Sequence, residues 1–402
     1  MSQFASAPHT SAVSLSREEA RRLLTLYHFR QSDLAGVFAH LGSVQYDPLN
    51  PVGRNPDLVL QARVPGYRVD DWQPLAYQQR LVYDAWDKQA CLVPAADWPQ
   101  RALIRAYHCP DHDRQLLDSA QEATAAILAA IDERGPLSSL EFEEQAKAVV
   151  SQLTWHGTKL AKLILRSLWA CGRLVTHHRQ AGRHYYDRPE RVIPAEHFNA
   201  PLLLDPEAYQ RWIIAQRHRA AGLLRPTAEA CIWSGCGSTR ERRTTMAQLV
   251  EEGTLIPLLI GEKRWPYYAH RNLLPLLEAP TPEPRVIFLG PLDNFLWDRK
   301  GIQQIYDFEY IWEVYKPEKD RKWGYYVLPV LYRDRFIARL DSRLEGKTWH
   351  IARWWWEPGI APDDEMLEAL RLAVRNFLAY LSADSIQLAE MAAPALQQLA
   401  LP

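Results

Sequence analysis

Residues 239–269, TRERRTTMAQLVEEGTLIPLLIGEKRWPYYA, decide the fold that the sequence predicts. The first part predicts a helix over 239–252, which Gly253 ends. The second part predicts a β-hairpin with strands at Leu255–Ile260 and Trp265–Ala269, joined by a turn that contains glycine. Helices followed by a strand, a turn and a strand are typical of winged-helix domains, a form of helix-turn-helix.

A similar order of elements occurs upstream. Residues 137–187 predict two helices, then Gly172, then a hairpin with strands at Leu174–His178 and His184–Tyr186. The helices predicted ahead of the hairpin in 239–269 cover 206–222 and 226–235. The predicted domains are a disordered leader at 1–15, winged-helix unit 1 at 16–125, unit 2 at 126–200, unit 3 at 201–278 and a C-terminal domain at 285–402.

The C-terminal part has a different pattern. The proline-rich stretch APTPEP, residues 279–284, indicates a linker. Alternating or aromatic-rich runs then predict strands at 285–289, 310–315, 325–331, 336–343 and 349–356, with a closing amphipathic helix at 363–382. The predicted fold class is α+β and mainly helical, with tandem winged-helix units followed by a β-rich C-terminal domain.

Local signals predict the first elements of the chain. Ser16 and Glu19 form a capping-box pattern that opens a helix. Ser32 is the predicted cap of a second helix, which Gly42 ends. Residues 70–107 predict short helices broken by prolines, and 112–133 predict one long amphipathic helix.

Composition narrows the class of protein. The chain has 402 residues, of which 47% are hydrophobic and 24% are charged, as in ordinary globular proteins. No apolar run approaches the roughly 18 residues that span a membrane, and the N-terminus lacks the pattern of a signal peptide. The five scattered cysteines include no CxxC pair, so we expect a reduced, disulfide-free, cytoplasmic protein that does not bind membranes.

Charge neither requires nor excludes a nucleic-acid partner. The net charge is −1, whereas nucleic-acid binders are often basic overall. A local basic stripe is enough for binding, and basic residues cluster at 240–243, 316–322 and 333–343. For each cluster taken alone, an ordinary solvated surface is the favoured interpretation.

The candidate catalytic residues lie in 41–67, LGSVQYDPLNPVGRNPDLVLQARVPGY. Gln45 and Asp47 would point the same way on an extended segment, because side chains alternate along a strand. An amide and a carboxylate so placed could hold and polarise one water. The alternative is an ordinary loop with a helix-capping aspartate and a surface glutamine.

Other kinds of site have little support. The chain contains no GxxxxGK[ST] and no GxSxG, so nothing indicates a nucleotide cofactor or serine hydrolysis. The stretch His108-Cys109-Pro110-Asp111-His112 has the residue types of a metal site but no second ligand pair elsewhere. We therefore predict no metal and no cofactor.

Three stretches together resemble a known family: VQYDPLNPVGRNPDLVLQAR, GPLDNFLWDRK, and YYVLPVLYRDRFIARLDSRL with WWWEPG after it. The chain resembles the bacterial winged-helix DNA glycosylases of the AlkZ/YcaQ type, from about residue 16 to residue 382. The resemblance implies tandem winged-helix units with a concave surface and a barrel-like C-terminal domain. It also implies removal of alkylated purines from DNA, and in some members unhooking of interstrand crosslinks.

The resemblance extends to individual residues. The family's catalytic motif is Gln-apolar-Gln or Gln-apolar-Asp, and Gln45-Tyr46-Asp47 matches the second form, so the implied catalytic pair is Gln45 and Asp47. Relatives often read Trp-Ala-His-Glu-Ala-Cys where this chain has Trp86-Asp87-Lys88-Gln89-Ala90-Cys91. The pocket candidates are Tyr46, Trp86, Lys88 and Gln89. Position and charge make Arg54, Asn55, Arg299, Lys300, Arg333, Arg335 and Arg339 the candidates for DNA binding.

These observations predict a monofunctional DNA N-glycosylase acting on double-stranded DNA in base excision repair. We expect a monomer, located in the bacterial cytoplasm and associated with the nucleoid through DNA. The alternative is a non-catalytic winged-helix DNA-binding protein, either a transcription regulator or a damage binder. A scaffold whose winged helices bind protein is a second alternative.

Overall fold

The computed structural model describes residues 12–142, 157–392 and 396–397. The chain forms two compact units. The larger comprises Met1–Trp72 and Ile213–Pro402, and the smaller comprises Gln73–Trp212. This grouping does not test the predicted division into three winged-helix units and a C-terminal domain, which stays a prediction. The predicted helix at 139–153 lies mostly outside the described residues.

The larger unit contains the N-terminal helices, a four-stranded sheet and a five-stranded sheet. Its helices are Arg17–Phe29, Leu34–Leu41, Asn55–Gln61, Thr239–Glu251, Arg299–Tyr306 and Asp364–Leu381, with 3-10 turns at Ala230–Trp233, Arg271–Glu278, Asn294–Leu296 and Glu318–Asp320. The boundaries between the two units fall within the helices Trp72–Tyr77 and Pro206–Ala221.

The four-stranded sheet contains the predicted wing. Leu255–Ile260 pairs antiparallel with Trp265–His270, which pairs in turn with Leu223–Leu224. The predicted hairpin and the helix before it are thereby confirmed. Val13–Leu15 adds a parallel strand on Leu255–Ile260, so the expectation of a disordered leader is wrong for these residues. Val13 and Leu15 contact the apolar core of the unit, and this burial orders them.

The five-stranded sheet forms most of the C-terminal region. Its strands, in spatial order, are Val286–Phe288, Val327–Tyr332, Arg335–Glu345, Thr348–Trp356 and Ser385–Leu388. Register shifts between Val330 and Leu331 and between Asp341 and Ser342 bend it into a curled half-barrel. The closing helix packs Phe377 against the sheet, 4.8 Å from Trp349 between ring centroids.

One predicted strand of this region is wrong. Residues 310–315 form no strand, although their alternation favoured one. The buried carboxylate of Glu313 accepts hydrogen bonds from the backbone of Lys322, Trp323 and Gly324, so this stretch is tied to a loop instead of a neighbouring strand.

The smaller unit is built from short helices and two hairpins. Its helices are Ala102–Tyr107, Asp111–Ser119, Gln121–Arg134, Gly157–Ala170, Pro189–Val192 and Ala195–Phe198, with a 3-10 turn at Ala95–Asp97. The hairpins are Val82–Trp86 with Ala90–Pro94, and Val175–Gln180 with Arg183–Asp187. The first hairpin replaces part of the helices predicted over 70–107, and Ala120 breaks the helix predicted over 112–133.

A disulfide joins Cys109 to Cys171, so the expectation of a disulfide-free protein is wrong. The two cysteines follow the ends of the helices Ala102–Tyr107 and Gly157–Ala170, and their Cα atoms are 4.3 Å apart. The three other cysteines, Cys91, Cys231 and Cys236, form no disulfide in the part of the chain that the structure describes. Among the described residues, no helix is both long and apolar enough to cross a membrane.

Candidate active site

The candidate catalytic segment begins where the helix Leu34–Leu41 ends. Asp33, not Ser32, caps this helix by accepting a hydrogen bond from the N–H of Gly36 at 2.7 Å. Gly42 ends it in the left-handed region, with φ of 65°. A Cβ at position 42 would lie 1.6 Å from Nε2 of Gln216, so both the backbone and the packing require glycine here.

Two buried asparagines hold the backbone on either side of Val44. Nδ2 of Asn55 donates to the carbonyl of Gln45 at 2.7 Å, and its Oδ1 accepts from the N–H of Leu292 at 3.2 Å. Nδ2 of Asn294 donates to the carbonyl of Ser43 at 2.9 Å. Both asparagine side chains are fully buried. The position of Gln45 is therefore fixed by hydrogen bonds that reach about 240 residues along the chain.

The stretch PLDNFLWDRK, residues 291–300, supports this arrangement. Asp293 caps the turn at Asn294–Leu296 and forms two hydrogen bonds of 2.8 Å to the guanidinium of Arg63. Both partners of this ion pair are fully buried. A buried carboxylate is costly unless its acceptor capacity is filled, and the bidentate pair and the cap fill it here. The stretch acts as a scaffold for the candidate catalytic segment.

Asp47 is half-buried and retains capacity to accept hydrogen bonds. Its Oδ1 accepts from the N–H of Leu49 at 3.0 Å. Burial raises the pKa of Asp47, and the Leu49 hydrogen bond opposes that rise. A carboxylate can accept about four hydrogen bonds, so the carboxylate of Asp47 has capacity left to accept from a water and to attract a nearby cation. Its neighbour Tyr46 is buried, with its ring edge-on to Trp72 at 6.1 Å between centroids.

Asp57 has a different environment from Asp47. It is fully buried and accepts hydrogen bonds from the hydroxyl of Tyr67 at 2.8 Å and from the N–H groups of Asp70 and Arg54 at 2.8 and 3.0 Å. Burial raises the pKa of Asp57 to about 6, although these three donors lower it. Asp57 is thus the N3 residue of the helix Asn55–Gln61 and accepts from the N–H of the N-cap residue Arg54, and its acceptor capacity is largely used by the protein.

A buried tyrosine near this segment was not apparent from sequence. Tyr326 is almost completely buried, and its hydroxyl has no hydrogen-bond partner among the described residues. Burial raises the pKa of Tyr326, and the negative charge of Asp47 is the next cause. A tyrosine in a strand-like run is ordinary core by pattern, so only the fold brings it close to Asp47.

A family model described as DNA glycosylase AlkZ-like matches residues 38–380. This chain belongs to that family. The match includes the candidate catalytic segment, its scaffold and most of both units. Membership of this family means that the chain is a DNA glycosylase, which is a hydrolase of N-glycosyl bonds that acts on DNA. Its Gln-apolar-Asp form of the motif is a feature of this sequence.

The fold is similar to that of a solved structure, the Streptomyces sahachiroi DNA glycosylase AlkZ, with a TM-score of 0.63. The similarity covers 94% of this chain and 100% of that chain, at 14% sequence identity. Identity this low shows a shared fold, in agreement with the predicted fold class.

Two of the predicted DNA-binding residues of the glycosylase are buried. Asn55 is fully buried in the hydrogen bonds described above. Nε of Arg339 donates to Glu357 at 2.7 Å, and its guanidinium lies over the rings of Phe308 and Trp323 at 4.2 and 4.4 Å. These contacts leave neither side chain available to phosphate, so both are corrected to structural roles.

The other predicted DNA-binding residues reach the surface to different degrees. Lys300 and Arg335 are exposed, and Arg299 is half-buried with its guanidinium 5.4 Å from the ring centroid of Tyr310. The remaining two already have carboxylate partners: Arg54 with Asp70 at 3.1 Å, and Arg333 with Glu365 at 2.9 Å. Their role in binding DNA stays a prediction.

The predicted pocket residues other than Tyr46 belong to the smaller unit. The ring of Trp86 stacks on His108, with centroids 5.9 Å apart, and contacts Trp169 at 5.4 Å. Lys88 is buried and Gln89 is exposed, both in the turn between Val82–Trp86 and Ala90–Pro94. Their place in a pocket with Tyr46 stays a prediction.

The larger unit also has a cavity away from the candidate catalytic pair. A volume of about 680 Å³ lies between the start of the first helix and the hairpin tip that contains Arg333 and Asp334. Neither Gln45 nor Asp47 lines it. No group of three or more histidine, cysteine, aspartate or glutamate side chains suited to a metal occurs in the part of the chain that the structure describes.

Proposed function

We propose that this glycosylase hydrolyses the N-glycosidic bond of purines alkylated at N7 or N3, with Gln45 and Asp47 as the catalytic pair. The observation that carries the proposal is the contrast within one segment. The backbone carbonyl of Gln45 is held by the buried Asn55, whereas Asp47 is half-buried and accepts a hydrogen bond from the N–H of Leu49. A side-chain amide on a fixed backbone, beside a carboxylate with remaining acceptor capacity, is suited to holding one reactive water.

The chemistry follows from the charge of the substrate. Alkylation at N7 or N3 makes the purine cationic, so the base leaves without being protonated first. The C1′–N bond breaks, the electron pair leaves with the base, and the sugar becomes cationic. The carboxylate of Asp47 stabilises that cation by charge. It then accepts a proton from the water whose oxygen bonds to C1′.

Water is the proposed nucleophile, which makes the enzyme monofunctional. Residues 41–67 contain no lysine, so the candidate segment itself offers no amine to form a Schiff base with the sugar. Gln45 would orient the water through its side-chain amide. The backbone hydrogen bond from Asn55 supports this role because it fixes the residue that must aim the amide.

We further propose that a single copy of the protein binds double-stranded DNA through phosphate contacts. The candidates that remain after Asn55 and Arg339 are set aside are Arg54, Arg299, Lys300, Arg333 and Arg335. Interstrand crosslinks are a second proposed substrate. A crosslinked base cannot be extruded far from the duplex, so its removal requires the catalytic carboxylate to be reachable from the surface, and Asp47 is only half-buried.

The test is excision of N7-methylguanine from a labelled duplex, read as strand breaks after heating in alkali. We expect Asp47→Asn to lower the single-turnover rate by about 10²–10³-fold, because one positioned group typically contributes that much. DNA affinity should stay within about twofold of wild type. Asp384→Asn, an exposed aspartate in the same unit, is the matched control and should excise normally.

Two outcomes would contradict the proposal. Normal excision by Asp47→Asn would remove the catalytic assignment. Binding of alkylated duplex without any strand breaks by the wild-type protein would favour a non-catalytic damage binder. A duplex with an N7–N7 crosslink, run in parallel, shows whether crosslinks are unhooked.

A further inference from the structure

Three aromatic rings and three cations form a patch that the glycosylase mechanism does not use. Arg321, Lys322, Trp323 and Tyr325 lie in the loop before the strand Val327–Tyr332, and Arg353 and Trp355 lie on the strand Thr348–Trp356. We call these six residues the Trp323 patch. Trp323 and Trp355 meet edge to face, with ring centroids 5.4 Å apart.

Each cation of the Trp323 patch lies on one of its rings. The Lys322 ammonium is 4.8 Å from the ring centroid of Trp323, and the Arg321 guanidinium is 5.0 Å from that of Tyr325. Arg353 lies 5.9 Å from the centroid of Trp355. Lys322, Tyr325 and Arg353 are exposed, whereas Trp323 and Trp355 are half-buried, so Tyr325 is the ring that faces solvent beside these two charges.

A buried glutamate fixes the shape of this loop. The carboxylate of Glu313 accepts from the N–H groups of Lys322 and Trp323 at 3.1 and 2.8 Å, and from the ammonium of Lys316 at 2.9 Å. These hydrogen bonds lower the pKa of Glu313 to about 2 against the effect of burial. The loop is therefore pre-organised, and ligand binding there costs little conformational entropy.

Trp323 is also supported from inside the protein. The buried guanidinium of Arg339 lies 4.4 Å from its ring centroid and is held by Glu357. A further carboxylate beside the patch is that of Asp341, which is half-buried and pairs in register with Arg353. The exposed Glu318 and Asp320 precede the patch in the same loop. The surface around the patch therefore carries both negative and positive side chains.

We propose that the Trp323 patch binds unpaired nucleotides of DNA. The exposed ring of Tyr325 supplies a face on which a base can stack, and the exposed Lys322 and Arg353 can bind the phosphates next to that base. In an intact duplex the base faces are already stacked on one another, so rings of this kind favour a single strand. This binding goes beyond base excision, and it is measured on DNA that contains no lesion.

The test is fluorescence anisotropy with the full-length protein and a fluorescein-labelled 12-nucleotide oligo-dT. We expect Tyr325→Ala to weaken binding by about 10-fold, since stacking on one base contributes roughly that factor. Lys322→Glu with Arg353→Glu should weaken it at least 10-fold and reduce the dependence of log affinity on log salt by about 1.4. An undamaged blunt-ended duplex without a loop should bind Tyr325→Ala and wild type alike.

The matched control is Arg271→Glu with Arg375→Glu, two exposed arginines of the larger unit that lie outside the basic clusters. It should keep wild-type affinity for oligo-dT. An equal loss in the control, equal effects of Tyr325→Ala on duplex and single strand, or no oligo-dT binding by wild type would each overturn the proposal. Excision of N7-methylguanine is scored separately, so a failure of the proposed catalysis would not be mistaken for a failure of this site.

Discussion

Replacement of Asn55 tests whether the scaffold, and not only the motif, makes the site active. In Asn55→Ala the carbonyl of Gln45 and the N–H of Leu292 both lose their hydrogen bond with Asn55, at 2.7 and 3.2 Å. Loss of one buried hydrogen bond of this kind costs about 1–3 kcal/mol. The free energy of unfolding should therefore fall by about 2–6 kcal/mol, a large fraction of the stability of an ordinary domain.

The same change should slow excision in protein that is still folded. Gln45 is no longer held by the Asn55 amide, and a displacement of about 1 Å in a positioning group can cost about 10²-fold in rate. Urea unfolding followed by circular dichroism measures the first effect. Single-turnover release of N7-methylguanine, at a temperature where the variant is shown to be folded, measures the second.

Asn50→Ala is the matched control, because Asn50 lies in the same segment but is exposed. It should change the free energy of unfolding by less than about 0.5 kcal/mol and leave the excision rate unaltered. A folded Asn55→Ala protein that excises within twofold of wild type would refute the reasoning. The position of Gln45 would then not depend on the asparagine that contacts its carbonyl.

Three further effects should be measurable. Burial raises the pKa of Asp47, so this carboxylate is protonated at a higher pH than an ordinary aspartate. As the pH is lowered, the excision rate should therefore begin to fall at a higher pH, which a pH profile of the rate will show. Because the pKa of Asp57 is raised to about 6, the folded state binds more protons than the unfolded chain between about pH 4 and 6. The free energy of unfolding should fall by about 3 kcal/mol as the pH rises through that window, and Asp57→Asn should remove the slope in urea titrations. Reduction of Cys109–Cys171, which are 62 residues apart, should lower stability by up to about 4 kcal/mol, seen as a lower melting temperature in dithiothreitol and no further loss in Cys109→Ser.

Elements defined by local chemistry were predicted well. The capping box at Ser16 and Glu19 is present with both hydrogen bonds, because its partners are three residues apart. The hairpin of Leu255–Ile260 and Trp265–His270 follows from apolar runs around a glycine turn. Such features need no information from the rest of the chain.

Roles that depend on distant partners were not predictable. A polar side chain in a loop has the same sequence signal whether it faces DNA or a buried carbonyl, and Asn55 has its second partner 237 residues away. Arg339 was assigned to DNA because it is a cation in a basic strand. It is buried because Glu357 neutralises it and two rings cover it. The disulfide partners are also far apart along the chain, with a separation of 62 residues.

The two aspartates of the candidate segment show how one stretch can contain both a structural and a chemical carboxylate. Asp57 is fully buried and accepts three hydrogen bonds from the protein, yet burial still keeps its pKa near 6. Full burial would raise the pKa of Asp47 in the same way. Part of the Asp47 population would then be protonated and would carry no negative charge to stabilise a cationic sugar. Half-burial limits this rise in pKa, while removal of part of the solvent strengthens the attraction of Asp47 to a cation. To keep Asp57 fully buried and Asp47 half-buried, the backbone between them must be rigid. The hydrogen bond from Asn55 to the carbonyl of Gln45 supplies part of that rigidity.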